Sequence, residues 1–503
     1  MELINVLRIL AAALFLHMIH ALYASWHYSR KARSLGCLNL PLLPSMDPIG
    51  VTHLLQSLSA DRVKLLPELF ERRFRTMSEL QKGYVSTFMI RSLGQHIVIT
   101  ADPKNIQSLL ATQFSNFELG SVRRDSLCPL LGNGIFTANG EQWSHSRALL
   151  RPQFTRNQIS QLDLEEKHVL RAMDAIHVGP TGWTTSTDIQ CIFFRLTLDT
   201  ATEFLFGESA DSQLHYLEGR QCPEVSFAYS FDDSQAVCAQ RLRFGWVASL
   251  LNCLRARQSD REVHAFVDRF VHKALQSQRE EANIRHADKT RYVFLDALVA
   301  ETQDPIELGS QCLNILLAGA RYHCFTSELD RSVIGAPLGG FQQTPRRNHS
   351  KFWHLWLASG YKLLLIKVMP VFAILPERVT SSVPVVPFNR RSAVSDTALP
   401  HGGGADVLTS CTVARTFGDL TLIASIRSDG VDGKLGGSIF LLTGGPRVCI
   451  GQQFALTEAG YTLVRLIQRF DQIEDVYPER QIRYGLSLTS CPADSVTVRM
   501  HQA

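Results

Sequence analysis

The residues best suited to do chemistry lie near the C-terminus, in Thr443-Gly-Gly-Pro-Arg447-Val-Cys449-Ile-Gly451, which runs on into Gln452-Gln-Phe-Ala-Leu-Thr-Glu-Ala459. A cysteine at the start of a helix meets free backbone N–H groups and the positive end of the helix dipole, and both stabilise a thiolate. Arg447, two residues earlier, can add positive charge or hold an anionic substituent. Gly444, Gly445 and Gly451 let the backbone approach something flat and bulky. The alternative is a buried cysteine ahead of a helix, the common fate of a lone cysteine. A string this long, with this many specified positions, favours chemistry over coincidence.

Such a loop needs a helix behind it. Ala459, Leu463, Leu466, Ile467 and Phe470 recur at helical spacing, which predicts a helix over 457–470. Trp143 and Arg147 stand on a second helix predicted over 143–150, after a glycine-bearing loop at 132–140. Taken alone, that pair also fits an amphipathic helix with a snorkelling arginine. From about 60 to 319 the texture is mainly helical, with one strand predicted around Ile97 to Thr100. Between Gly319 and about Gly444 the pattern breaks into charge clusters and irregular apolar runs. No internal repeat or low-complexity tract is present.

Composition narrows the function class. Among 503 residues, 51 basic and 47 acidic side chains leave +4, too little for a nucleic-acid partner. Apolar residues at 45% supply a large core and exclude a disordered chain. The 11 cysteines include no CxxC pair, so a zinc ribbon or thioredoxin-like site is not expected. Ile9 to Ala24 is an apolar run broken by His17 and His20 and followed by Arg30, Lys31 and Arg33. Basic residues after the run favour a membrane anchor over a cleaved signal peptide and keep the remaining chain in the cytosol. The expected organisation is an anchor at 1–29, a linker at 30–59 and one catalytic domain at 60–503.

The cysteine run resembles the haem-binding loop of cytochrome P-450 monooxygenases, F-x-x-G-x-R-x-C-x-G. The resemblance implies that Cys449 is the axial iron ligand and that Arg447 holds a haem propionate. A thiolate ligand pushes electron density onto iron and favours O–O cleavage. The motif's leading phenylalanine falls on Leu442. Trp143 to Arg147 resembles the family's W-x-x-x-R helix, which implies propionate contacts for both residues. Pro384-Val-Val-Pro-Phe-Asn-Arg-Arg391 resembles the strand whose arginine binds a propionate, here Arg391. The loop through Ala459 is closest in texture to the fungal alkane- and fatty-acid-hydroxylating branch. The likeness covers about 80–319, 384–404 and 444–503.

Two family features are absent. After Ala318-Gly319 the family continues with an acid and a threonine that relay protons to bound dioxygen. This chain reads Ala320-Arg-Tyr-His-Cys324, so no catalytic pair is intact. Glu328-Leu-Asp-Arg331 fits the letters of the family's E-x-x-R ion pair but comes too soon after Gly319. Permitted codons for Ala320 to Leu329 and the first base of Asp330, read from the second base, translate as R-D-T-T-A-S-L-L-S-W, the family's own continuation. The same offset over Ile374 to Val385 can read Y-C-L-N-E-S-L-R-L-Y-P, which contains the missing E-x-x-R. Residues 320–383 are therefore read as out of frame, with an irregular course expected there. The 405–442 stretch is atypical, since it lacks the family's F-x-P-x-R.

The resemblance implies a mostly α fold with a smaller β region, the cytochrome P-450 fold, partly disrupted. It also implies haem as cofactor, an NADPH-dependent reductase as electron source and the endoplasmic reticulum membrane as location. The implied reaction inserts one atom of dioxygen into an apolar substrate, an n-alkane or long-chain fatty acid. Two alternatives are a secondary-metabolite monooxygenase and a non-catalytic relic that keeps the haem loop.

Overall fold

The computed structural model describes residues 40–503 apart from 156–161, 219–222, 246–247, 249–252, 282–291, 320–385, 387, 396, 402–410, 414–420, 426–443 and 482, with scattered positions before residue 40. In chain order come α1 (Val51–Arg62), α2 (Leu66–Leu80), β1 (Thr87–Ser92), β2 (Gln95–Thr100), α3 (Pro103–Gln107), β3 (Phe117–Glu118), α4 (Ser121–Leu131), α5 (Gly140–Leu150) and α6 (Leu162–Asp174). Next are β4 (Thr187–Asp188), α7 (Ile189–Phe206), α8 (Ser212–Glu218), α9 (Pro223–Phe244), α10 (Cys253–Glu281), α11 (Phe294–Val299) and α12 (Pro305–Gly319). The last group is β5 (Phe388–Ala393), β6 (Thr397–Leu399), β7 (Cys411–Val413), β8 (Thr421–Ser425), α13 (Gln452–Arg469), β9 (Phe470–Asp475), β10 (Tyr484–Leu486), β11 (Ser490–Pro492) and β12 (Thr497–Gln502). The architecture is mostly helical with a smaller set of sheets.

The helix starts are written locally. Asp188 precedes α7 and its carboxylate accepts from the N–H of Cys191. Asp304 precedes α12, accepts from the Ile306 N–H at 3.0 Å, and is followed by Pro305 at the first helical position. α7 is buried on nearly every side, as its continuous apolar sequence requires. Around it Leu127, Leu150, Phe231, Val267, Leu298 and Leu316 join α4, α5, α9, α10, α11 and α12 into one core. Phe204 of α7 lies 4.9 Å from the ring of Phe454 in α13, so this core extends to the helix behind Cys449.

The largest sheet has the order β1-β2-β8-β5-β3. β1 and β2 form an antiparallel hairpin, β8 runs parallel to β2, and β5 runs antiparallel to β8. The 405–442 stretch, atypical in sequence, thus supplies a central strand of this sheet among its described residues. It also supplies β7, paired antiparallel with β6, and the remainder of 405–442 is outside the described residues. So are residues 320–383, with Glu328 and Arg331.

In the stretch expected to be a linker, 30–59, residues 40–43 lie against β1. Leu43 N–H donates to Met89 O and Met89 N–H donates to Pro41 O, both at 2.8 Å, while Leu40 and Leu43 are buried. These residues extend the β1 edge instead of spanning solvent, because unpaired edge backbone favours a partner. In the expected anchor, Phe15, Leu16, Ile19, Leu22, Tyr23 and Trp26 are helical and exposed. Among the described residues no helix is long and apolar enough to cross a membrane, so the transmembrane helix at 1–29 is not shown.

Candidate active site

A short 3₁₀ turn, Gly445–Arg447, carries the chain to Cys449, three residues ahead of α13. Gly445 has φ +68°, and a Cβ there would lie 1.8 Å from Leu110 O. No other residue type lets the turn rest this closely on the segment after α3. Arg147 of α5 donates from Nη1 to Val448 O at 2.9 Å. Burial and Arg151 lower the Arg147 pKa, and the Cys449 sulfur opposes them, so guanidinium and thiol face one another electrostatically.

Arg447 turns towards Trp143. Its guanidinium carbon lies 4.6 Å from that ring's centroid, and Arg147 lies 5.8 Å away. Phe114 packs against the same indole, with centroids 5.5 Å apart. Arg447 donates to Ala138 O at 3.0 Å, Asn139 Oδ1 at 3.2 Å and Ile135 O at 3.4 Å, all in the loop before α5. Arg391, from β5, is buried and donates from Nη1 to Asn389 Oδ1 at 2.6 Å. Its Nε is buried without a hydrogen-bond partner. Burial, then the charges of Arg123 and Arg447, hold the Arg391 pKa down to about 9. Burial, Arg123 and Arg147 hold Arg447 down to about 10, with Glu118 opposing them.

All five residues singled out in the sequence are thus brought together: Trp143, Arg147, Arg391, Arg447 and Cys449. Arg123 was not singled out. It is a member of the same cluster, donates from Nε to Phe136 O at 3.0 Å, and is lowered to about 10 by burial. Arg123 and Arg124 are neighbours on α4, and nothing local says which of the two turns inward.

Clustered guanidiniums in a low-dielectric interior repel one another and are stabilised by anions. The arrangement can hold a flat dianionic group beside a thiol, and haem with its two propionates is such a group. The buried Nε of Arg391 supplies a donor still to be satisfied, so the donor set fits. Among the described residues no cluster of three or more His, Cys, Asp or Glu could hold a metal ion. The central helix α12 is tied to α5 by Gln311 Nε2 donating to Ser146 Oγ at 2.9 Å and by His145 with Glu307 at 2.8 Å. The positions where the acid and threonine would stand begin at 321, outside the described residues.

The family model for cytochrome P450 matches residues 63–321. A Fusarium cytochrome P450 monooxygenase g430 is 36% identical, over 96% of this chain and 88% of its own. Cytochrome P450 52A10 of Candida maltosa is 34% identical, over 91% of this chain and 92% of its own. Cytochrome P450 52-E3 of Starmerella bombicola is 33% identical, over 92% and 91%. The crystal structure of the cytochrome P450DA heme domain superposes with a TM-score of 0.62 at 18% identity, covering 93% of this chain and 98% of that one. The chain belongs to the cytochrome P450 family and has its fold. It is an enzyme of the haem-thiolate monooxygenase class.

Proposed function

We propose that this chain holds haem through Cys449 on the iron, with Trp143, Arg147, Arg391 and Arg447 on the propionates, and hydroxylates an n-alkane or long-chain fatty acid. The observation that carries this reading is the cluster of Arg123, Arg391 and Arg447, each held down by burial and the last two also by their cationic neighbours, on the same side of the fold as Arg147 and Cys449. Bound haem supplies dioxygen activation and oxygen transfer to the substrate. The residues of the chain hold and tune that group. Arg147, facing the sulfur, favours the thiolate over the thiol. Trp143 covers the Arg447 guanidinium and keeps water from it, which strengthens its attraction for a carboxylate.

Residues 320–383 belong to the proposal as an out-of-frame stretch. The family match ends at residue 321, one residue after the proposed break. The chain as written then lacks the acid–threonine pair that delivers protons. Similarity spanning 96% of the chain favours the monooxygenase over the relic. Membrane anchoring through 1–29 at the endoplasmic reticulum, with an NADPH-dependent reductase, completes the reading; the apolar run with its trailing basic residues supports it.

The test is the reduced carbon monoxide spectrum of the haem-loaded chain. A thiolate-type Soret band is expected, and an imidazole- or thiol-type band would overturn the assignment. Hydroxylation of a long-chain fatty acid should appear when 320–383 is replaced by the offset-frame sequence and reductase is supplied. Turnover of only bulky polycyclic substrates would favour the secondary-metabolite alternative.

A further inference from the structure

α12 buries Leu308, Cys312, Leu313, Ile315, Leu316 and Leu317, and among the polar residues it buries with them the asparagine at 314 is fully enclosed. Asparagine is a mediocre helix former, because its amide competes with the backbone for hydrogen bonds. A polar side chain in such a place conflicts with the local pattern and needs a structural reason. Asn314 Oδ1 accepts from Phe136 N–H at 3.0 Å, and its Nδ2 donates to Leu131 O at 2.9 Å and to Ser310 O at 2.8 Å. Two of these partners belong to the chain that leaves α4 and enters the loop before α5.

That loop is fitted around the amide. A Cβ at Gly134 would lie 2.2 Å from Asn314 Nδ2, so glycine is needed for the approach. Thr137 closes the loop on itself, donating to Gly132 O at 2.7 Å and accepting from Gly134 N–H at 2.9 Å. The outward carbonyls of the same loop then hold two arginines of the cation cluster. Phe136, whose N–H binds Asn314, offers its carbonyl to Arg123 Nε. Ile135 and Ala138 accept from Arg447 through their backbone carbonyls, and Asn139 accepts through its side-chain Oδ1.

We infer that Asn314 is a positioning residue: from the central helix it fixes the 132–139 loop, and through the loop it orients Arg123 and Arg447 towards the propionates of haem. This deepens the proposed function: it rests on the assignment of Arg447 to a propionate and adds Arg123, a member of the same cluster, to the haem partners. Asn314 touches neither the iron ligand nor either arginine, so its effect passes through backbone carbonyls. Loss of the amide lets the loop shift, and misplaced carbonyls misaim the guanidiniums.

The experiment uses the haem-loaded full chain and reads haem transfer to apomyoglobin, the haem midpoint potential and thermal unfolding. Asn314→Ala should speed haem loss by about tenfold and shift the potential in the direction given by R123A/R447A. Introduced into the R123A/R447A background, it should change haem loss by less than about twofold, because the groups it orients are gone. Equal acceleration in both backgrounds, or none in either, would overturn the inference. Unchanged haem loss in R123A/R447A itself would overturn the arginine assignment and the inference with it. Should Asn314→Ala not take up haem, Asn314→Asp keeps the acceptor for Phe136 N–H and is read by the same comparison, with an intermediate rate expected. Gly134→Ala should act like Asn314→Ala, and the two together should be no worse than either alone; additive effects would count against the latch.

Discussion

Arg147 reaches from α5 to the carbonyl of Val448, 2.9 Å away, so the helix that carries Trp143 is bonded to the residue immediately before Cys449. One guanidinium therefore fixes the backbone of the cysteine loop while facing its sulfur. A hydrogen bond from a charged donor is worth about 1.5–3 kcal/mol, and this part-buried one falls towards the lower end. Arg147→Ala should speed haem loss by about tenfold or more, and Arg147→Lys should recover only part of it, because a lysine cannot reproduce the planar fork. Haem transfer to apomyoglobin measures both.

Cys449→Ser should remove the thiolate-type carbon monoxide band while leaving the fold in place, since Cys449 is only half-buried and is not a member of the core clusters. Circular dichroism alongside the spectrum separates loss of ligand from loss of structure. A variant that retains the band would assign the iron to another residue.

Gly445→Ala should be the costliest single methyl in the loop. The left-handed backbone alone costs about 1–2 kcal/mol for a residue with a Cβ. The collision with Leu110 O adds to that, because a backbone oxygen cannot step aside. A lowered thermal midpoint with poor haem uptake is expected, whereas Gly460→Ala in α13, where a Cβ meets nothing within 4 Å, should be tolerated.

Stability should fall as pH rises towards alkaline values. Glu165 of α6 and Glu458 of α13 are both buried, and each has a carboxylate oxygen without a hydrogen-bond partner. Burial pushes Glu165 up to about 8; burial and the neighbouring Glu165 charge push Glu458 well above the usual range. Both folded-state values exceed the unfolded one, so the folded state binds more protons above about pH 4.5. The stabilisation is complete below that value and is lost as pH climbs through about 8. Thermal midpoints between pH 6 and 9 should decline in the parent chain and flatten in Glu165→Gln. A parent chain whose midpoint is level across that window would contradict the prediction.

Restoring the offset frame over 320–383 should convert a haem-binding chain into a hydroxylating one, measured as product formed per NADPH consumed with reductase present. Equal hydroxylation by both chains would remove the case for a frame break.

Much of the site was legible because its signals are local. The glycine-flanked Cys449, the Trp143–Arg147 spacing and the Asp304-Pro305 helix start are each set within a few residues, where backbone sterics and capping decide the outcome. The mostly helical class came from periodicity, which is local as well. Residues 40–44 escaped the same approach, because a short Pro-Leu-Leu-Pro stretch looks like a linker until the open edge of β1 is seen beside it.

By itself, then, the sequence determined the chemistry: a cysteine at a helix start with an arginine two residues away, and a cofactor flat enough to need glycines. Tertiary structure alone decided which further side chains serve that chemistry. Arg123 joins the cluster because α4 packs with one of two adjacent arginines inward, and Asn314 latches the loop because α12 crosses it at Gly134. Both depend on contacts between segments far apart in the chain. Such contacts are set by how whole helices pack, and neither the propensity nor the spacing of neighbouring residues encodes them.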